Sequence, residues 1–237
     1  MLILAFETSA KAGSVALMDE SRLLGESYQN TGLTHSQTLL QMAQQLLAGC
    51  GKKAQDVTAV AVAHGPGSFT GVRIGVAAAK GFAWGAELPC YGVSTLEAMA
   101  LNLGVWEGYV VPAMDARRNQ VYTAIFRAEK GALTRVEEDM AISLAELGEK
   151  IKNFAQPVFL VGDGALLCYN TLLEEVPGLV LPPEHRMHQR AAGVALAAQR
   201  QADAGDPGNG GSLTPNYLRL SQAERERAAR ENREKGV

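Results

Sequence analysis

Two short stretches of this chain concentrate residues able to do chemistry. Glu7-Thr8-Ser9 sets an acid and two hydroxyls between apolar runs at residues 2–6 and 14–18. A strand, an acidic residue, a hydroxyl-bearing turn and a second strand can present backbone N–H groups to a phosphate. The second stretch runs from Gly65 to Gly75 and reads GPGSFTGVRIG. Its Gly65, Gly67 and Gly71 permit positive φ and close backbone approach, and a helix starting just after them would offer an anion its free N–H groups. The same glycines can instead turn the chain sharply and let a helix pack close to a sheet, and this packing role is the preferred reading. No Lys-Ser/Thr pair follows as in a P-loop, and Arg73 suits a surface as well as a phosphate.

A third element repeats the first. Asp115 closes an apolar run that begins at Tyr109, and a further run from Gln120 to Arg127 leaves after Arg117-Arg118-Asn119. Arginines at that turn would fill the space that phosphates need against backbone, or else their guanidinium groups would pair with an anion. Occlusion or a structural ion pair is preferred. Asp163, between Gly162 and Gly164, reads as an ordinary tight turn rather than a nucleotide loop. His185 and His188 sit near Arg186 and Arg190 as a surface pair, while His35 and His64 read as structural. There is no HExxH.

The elements that must position these residues follow from hydrophobic period and breakers. A hairpin has its tip at Thr8 to Gly13, and a third strand covers Leu23 to Tyr28. A first helix, N-capped by Thr34 or Ser36, carries Leu39, Met42, Ala43, Leu46 and Leu47 and stops at Gly49 and Gly51. Val57 to Ala63 is a buried strand that enters the glycine turn. Phe69 to Trp84 is a second helix, Cys90 to Val93 a strand, and Thr95 to Leu103 a third helix. Beyond the repeated hairpin the second half reads as shorter on strands, with one at Pro157 to Val161, an Ala-rich helix at Gly193 to Asp203 and a loop at Ala204 to Ser212. Two half-molecules that begin alike suggest a duplicated fold.

The second helix is apolar almost all round, interrupted only by Arg73 and Lys80. Such a helix is expected to be buried on every side. One face would meet the sheet, so another subunit is expected on the other, unless the second half of the chain covers it. The small residues Gly75, Ala78, Ala79 and Gly81 would admit a neighbouring helix, and the first helix would share the surface. The expected partner-binding set is Leu39, Leu40, Leu46, Leu47, Val72, Val76, Ala79 and Phe82.

Bulk properties narrow the class. The 237 residues, 47% hydrophobic, suit two modest domains. A net charge of −3 gives no overall electrostatic footprint for a polyanion, so any RNA would be gripped mostly through a partner. Three cysteines with no CxxC read as reduced thiols in the cytosol. The start lacks a signal-peptide pattern, and no run approaches the roughly 18 apolar residues of a membrane span.

Taken together, Glu7-Thr8-Ser9, the Gly65 to Gly75 loop, Asp115-Ala116-Arg117-Arg118 and Pro215-Asn216-Tyr217-Leu218-Arg219 resemble the TsaB (YeaZ) family, over nearly the whole chain up to about Leu220. The resemblance implies an α/β, actin-like and sugar-kinase-like (ribonuclease H-like) duplicated fold of mixed sheets flanked by helices. Domains are expected at 1–103 and 104–220, followed by a charged, flexible tail at 221–237. The resemblance also implies a cytoplasmic subunit that pairs with the catalytic paralogue TsaD, or with itself when alone. With the ATPase TsaE, that assembly installs threonylcarbamoyl on the adenosine beside the tRNA anticodon. TsaD-type chains carry two histidines four residues apart that hold a metal; the corresponding places here look like Thr95 and Met99. A hydroxyl and a thioether are poor ligands for a hard divalent ion. No catalytic or metal residue is therefore expected, Glu7, Thr8, Ser9, Gly65, Gly67, Gly71 and Asp115 form a vestigial phosphate loop, and ATP and metal come through partner subunits. The rivals are a stand-alone small-molecule kinase or ATPase using Glu7, Thr8, Ser9 and Asp115 and, last, a metallopeptidase.

Overall fold

The structure is a computed structural model describing residues 1–104 and 107–219; the tail expected at 221–237 lies outside them. Strand β1 (Leu2–Glu7) pairs antiparallel with β2 (Gly13–Asp19), which pairs with β3 (Arg22–Gln29). Helix α1 (His35–Gly49) leads to β4 (Ala59–Gly65), parallel to β1, and α2 (Phe69–Gly85) leads to β5 (Cys90–Ser94), parallel to β4. After α3 (Thr95–Leu103) the pattern starts again with β6 (Gly108–Asp115), β7 (Gln120–Glu129) and β8 (Ala132–Ser143). It continues through α4 (Leu144–Ile151), β9 (Val158–Val161), α5 (Ala165–Leu172) and β10 (Leu179–Val180). Helices α6 (Glu184–Met187) and α7 (Ala191–Asp203) follow. The sheet orders are β3-β2-β1-β4-β5 and, read from the matching edge, β8-β7-β6-β9-β10. Pairing senses match strand for strand, so the duplication hinted at by the two hairpins is complete at the level of topology.

The expectation that the second half has fewer strands is therefore overturned: each sheet has five. β8 escaped notice because it is an edge strand whose residues alternate between exposed and half-buried and carry Arg135, Glu137, Glu138 and Asp139, leaving no apolar run to read. The expected elements also omit α5 and β10, and they omit α4. Ser143 and Glu146 cap its first turn reciprocally, a pattern legible in the sequence as Ser-x-x-Glu.

Both faces of the first sheet are covered, and the strands record which face is which. Leu2, Leu4, Phe6, Val60 and Val62 point toward α1 and α2. Ile3, Ala5, Ala59, Ala61 and Ala63 point toward α7, whose own Ala191, Ala195 and Ala198 meet them. Alternation with period 2 puts bulky residues on one side and alanines on the other, so α7 can lie close. Its N-terminus is fixed from the sheet: Ala191 N–H donates to Ser14 Oγ (2.8 Å), and Ala192 N–H and Arg190 donate to the Glu26 carboxylate (3.1 and 2.7 Å). An acid at the positive end of a helix is stabilising. α7 falls in the span 104–220 but packs on β1, β2 and β4, so that span is not one body. Residues distant in sequence complete the first lobe.

α3 lies between the lobes. Ala98 faces α7, where a Cβ on Gly193 would overlap the Ala98 carbonyl. Leu96 and Met99 face Val110, Met114 and Phe126 of the second sheet. Arg135 ties β8 to this junction. Its Nη2 meets Glu97 Oε2 at 3.0 Å and its Nη1 meets Asp139 Oδ1 at 2.7 Å, while Ser94 Oγ donates to Asp139 Oδ2 at 2.6 Å. The guanidinium also lies over the Phe126 ring, 4.7 Å from its centre. Removing the cation would leave two partly buried carboxylates facing each other. Arg135→Met is expected to lower stability by about 2 kcal/mol in urea denaturation, and an unchanged midpoint would show that the cluster is merely superficial.

Candidate functional site

The chemistry-bearing residues converge on a cleft of about 500 Å³ between the lobes. The first hairpin supplies Ser9 to Lys11 and the glycine-rich turn supplies Pro66 to Thr70. From the second lobe come Met114 to Arg117, Tyr122 and Asp163, and residues 216–219 close one side. Glu7, Thr8 and Ser9 are fully buried in its wall.

The glycine turn meets the hairpin directly. A Cβ on Gly67 would stand 2.5 Å from the Ser9 carbonyl oxygen, and one on Gly71 or Gly75 would overlap the Thr8 carbonyl or hydroxyl. Ser68 N–H donates to Ser9 O (2.6 Å), and Thr8 Oγ1 donates to Gly71 O (2.7 Å). These two bonds tie the segments to each other. Gly65 serves a different neighbour, since the Asn216 carbonyl occupies the place its Cβ would take. Of the two readings open for these glycines, close packing is the one the contacts support.

Acidity in the cleft is set by burial. Glu7 Oε1 accepts the Ser9 N–H at 2.5 Å, but Glu7 Oε2 has no partner among the described residues. Burial pushes this carboxyl up to about 7, against the pull of the Ser9 bonds and with a further push from Asp163. Asp163 opens onto the cleft yet has enough protein around it to be raised as well, while Gln189 Nε2 donates to it at 3.0 Å and draws it back. The turn reading for Asp163 describes its backbone and misses its place: Gly162 and Gly164 let that turn press against Ala113 and Asp115, bringing the carboxylate into the cleft.

The second hairpin turn carries its arginines in an uncommon backbone. Arg117, Arg118 and Asn119 all have left-handed φ, at 63°, 57° and 55°. Asp115 Oδ1 holds the turn by accepting the Arg117 N–H at 2.7 Å. Asp115 is thus spent on its own loop, across the cleft from Glu7.

Residues Pro215 to Arg219 form a strap. Asn216 N–H donates to His64 O (2.7 Å), Lys80 Nζ reaches Leu213 O (3.0 Å), and Arg219 Nη1 reaches Ala116 O of the second lobe (3.0 Å). Tyr217 stacks on Phe69 with centroids 4.7 Å apart, and Arg73 lies over Phe69 at 4.1 Å while donating from Nε to the Tyr217 hydroxyl at 2.9 Å. No sequence period marks this strap, because its partners are 100 or more residues away in the chain or on another element.

The remaining expected positions are placed as follows. Thr95 and Met99 are buried in the core around α3. His188 pairs with Glu184 at 2.9 Å, His35 contacts Ala10 O and His64 contacts Thr214 O. No cluster of three or more His, Cys, Asp or Glu among the described residues is placed to share a metal ion. The eight partner-binding residues divide. Leu39, Leu47, Val72, Val76 and Ala79 are at most 6% exposed and form the chain's own core with the first sheet. Leu46 and Phe82 pack half-buried against that core, and Leu40 stands free at 61% exposure. The assumption that α2 needs a partner on every remaining side fails because α1 flanks it and the strap covers another side. Outward on α2 are Thr70, Arg73, Ala77, Gly81, Trp84 and Gly85, of which Trp84 is 88% exposed and gives the large apolar surface.

The chain matches the family model described as TsaD, tRNA N6-adenosine threonylcarbamoyltransferase, over residues 29–226. It is 34% identical to the tRNA threonylcarbamoyladenosine biosynthesis protein TsaB of Bacillus subtilis (strain 168), across 94% of this chain and 96% of that one. The protein of the same description from Escherichia coli (strain K12) is 38% identical, across 69% and 72%. Among solved structures, YeaZ from Pseudomonas aeruginosa superposes with a TM-score of 0.76 at 27% identity, covering 92% of this chain and 99% of that one.

The buried Glu7 makes stability depend on pH. A carboxyl whose folded value lies near 7 and whose unfolded value lies near 4.5 contributes fully below the lower value and loses its contribution as pH rises through the higher one. Glu7→Gln, which keeps the acceptor for Ser9, should match the parent chain near pH 4.5 and exceed it by about 3 kcal/mol at pH 8. Urea denaturation at both pH values checks this; a difference that stays constant with pH would mean that Glu7 titrates as in water.

Proposed function

The chain belongs to the TsaB family and has a role in tRNA threonylcarbamoyladenosine biosynthesis; from that premise we propose that it acts as a non-catalytic, activating subunit. It pairs with the catalytic paralogue TsaD, helps recruit the ATPase TsaE, meets tRNA within that assembly in the cytoplasm, and pairs with a second copy of itself when alone. ATP and the metal ion enter through the partner subunits. The observation that carries this reading is the state of the cleft: the glycine turn is closed against Thr8 and Ser9, and the second hairpin turn carries arginines. The glycine turn and the Thr8-Ser9 segment leave no gap between them for a transferring group, and Thr95 and Met99, which by the resemblance stand where the paralogue has its histidine pair, are buried.

The outward strip of α1 and α2 supports the partner reading in a reduced form. Leu40, Phe82 and Trp84 provide apolar area, and Ala77 and Gly81 leave room for a helix from another subunit. No described helix is long and apolar enough to cross a membrane.

Two measurements test the reading. Leu40→Glu combined with Trp84→Glu should abolish co-purification with TsaD while the isolated chain keeps its thermal midpoint within a few degrees, both side chains being exposed; retention of the complex would remove this surface from the account. Val76→Glu is expected to unfold the chain instead, because Val76 is buried in the core. Isothermal calorimetry with Mg-ATP should give no micromolar binding and no turnover. Turnover would establish the stand-alone kinase or ATPase in place of the subunit.

A further inference from the structure

We propose that the rim of the inter-lobe cleft is an RNA contact, where a single-stranded segment lays phosphates on Lys11, Arg117, Arg118 and Arg219 and stacks a base on Tyr217. This deepens the subunit reading by assigning this chain a direct share of the tRNA.

The chain as a whole is acidic, with a net charge of −3. Against that background Lys11, Arg117 and Arg219 line one cleft, with Arg118 and Arg73 beside them. None of these five forms an ion pair among the described residues; Lys52, Lys53 and Lys130 outside the cleft are unpaired as well, so what sets the rim apart is the gathering of several free cations in one cleft. Asp115 and Asp163 line the same cleft, yet neither makes an ion pair with these cations among the described residues, and Glu7 is buried with its carboxyl raised toward neutrality. Cations left unpaired while carboxylates lie near are available to an anion from outside.

The turn that carries two of them is costly in backbone terms. Three successive non-glycine residues in the left-handed region are sparsely populated, and strain of that kind persists where surrounding bonds over-determine it. Here Ala116 N–H donates to Gln120 O at 3.0 Å and Leu144 N–H donates to Asn119 O at 3.1 Å, which fixes the loop and leaves both arginine side chains exposed. Glycine would satisfy the same backbone without strain, so the arginine side chains are what the position retains.

Chemistry also distinguishes RNA from a lone phosphate. Tyr217 stacks on Phe69 beside the Arg73 guanidinium and keeps 38% of its surface exposed. Exposed aromatic rings flanked by arginine are the platform on which unpaired bases stack, and single-stranded loops are what sequence-tolerant RNA surfaces engage. The cations come from three segments, the first hairpin, the second hairpin and the strap, which suits successive phosphates along a strand better than one compact polyphosphate.

The test uses the full chain, alone and in complex with TsaD, and fluorescein-labelled unmodified tRNA followed by anisotropy between 50 and 200 mM NaCl. Arg117→Gln with Arg118→Gln should weaken Kd about tenfold and flatten the slope of log K against log salt by about one to two. Lys11→Gln, on the other lobe, should give about a threefold loss, and it keeps the test valid should the strained turn refold. Tyr217→Leu should weaken binding about fivefold with the salt slope unchanged. Arg127→Gln, whose side chain is paired away from the cleft, should bind as the parent does. Affinity and slope indifferent to the rim substitutions would overturn the proposal, as would displacement of the RNA by Mg-ATP, which would make the cleft a nucleotide site. If the parent chain fails to co-purify with TsaD, the subunit reading falls while the measurement on the chain alone still decides the rim.

Discussion

The contact between the Thr8-Ser9 turn and the glycine loop is the constraint on which the rest of the first lobe is built. Gly67, Gly71 and Gly75 let two backbones meet at distances that any side chain would forbid, and Thr8 Oγ1 donates to Gly71 O across the contact. Because α2 begins at this contact, its direction is fixed by it, and with it the placement of Phe69, Arg73 and the strap that lies against them.

Burial and charge in the cleft are arranged to match. A fully buried carboxyl at Glu7 is tolerated because it can keep its proton near neutral pH. The second lobe answers with a hairpin whose acid has turned back onto its own loop and whose turn carries guanidinium groups. Between them the lobes are held by Arg135 and its two carboxylates and by the apolar contacts of α3, so the width of the cleft is determined away from its mouth.

The apolar surface illustrates why an all-round greasy helix is ambiguous. A segment can be apolar on every side because other subunits cover it or because its own chain returns to do so, and periodicity cannot separate the two. Here the return is made by a strap from the far end of the described chain, with Lys80 hydrogen-bonded to the carbonyls of residues 211 and 213. On α1 and α2, Leu40 and Trp84 stay exposed and Phe82 half-buried, with the small residues Ala77 and Gly81 beside them.

By itself the sequence determined the local elements and the family. The elements of the first half, the second hairpin that opens with β6, and β9 and α7 were readable, because their signals are periods and punctuation within about ten residues, whereas α4, α5 and β10 were not read. The motif set of Glu7 to Ser9, Gly65 to Gly75, Asp115 to Arg118 and Pro215 to Arg219 carried the kinship across almost the whole chain. Tertiary structure alone decided that β8 is a full strand, since a charged edge has no apolar signature, and that α7 belongs to the first lobe, since alanines fit several surfaces equally well. It also decided that Val72, Val76 and Ala79 face inward, that Asp163 enters the cleft and that Tyr217 meets Phe69. The physical reason is common to all of these: each depends on which side of an element meets which distant partner, and such pairings are set by the packing of the whole chain.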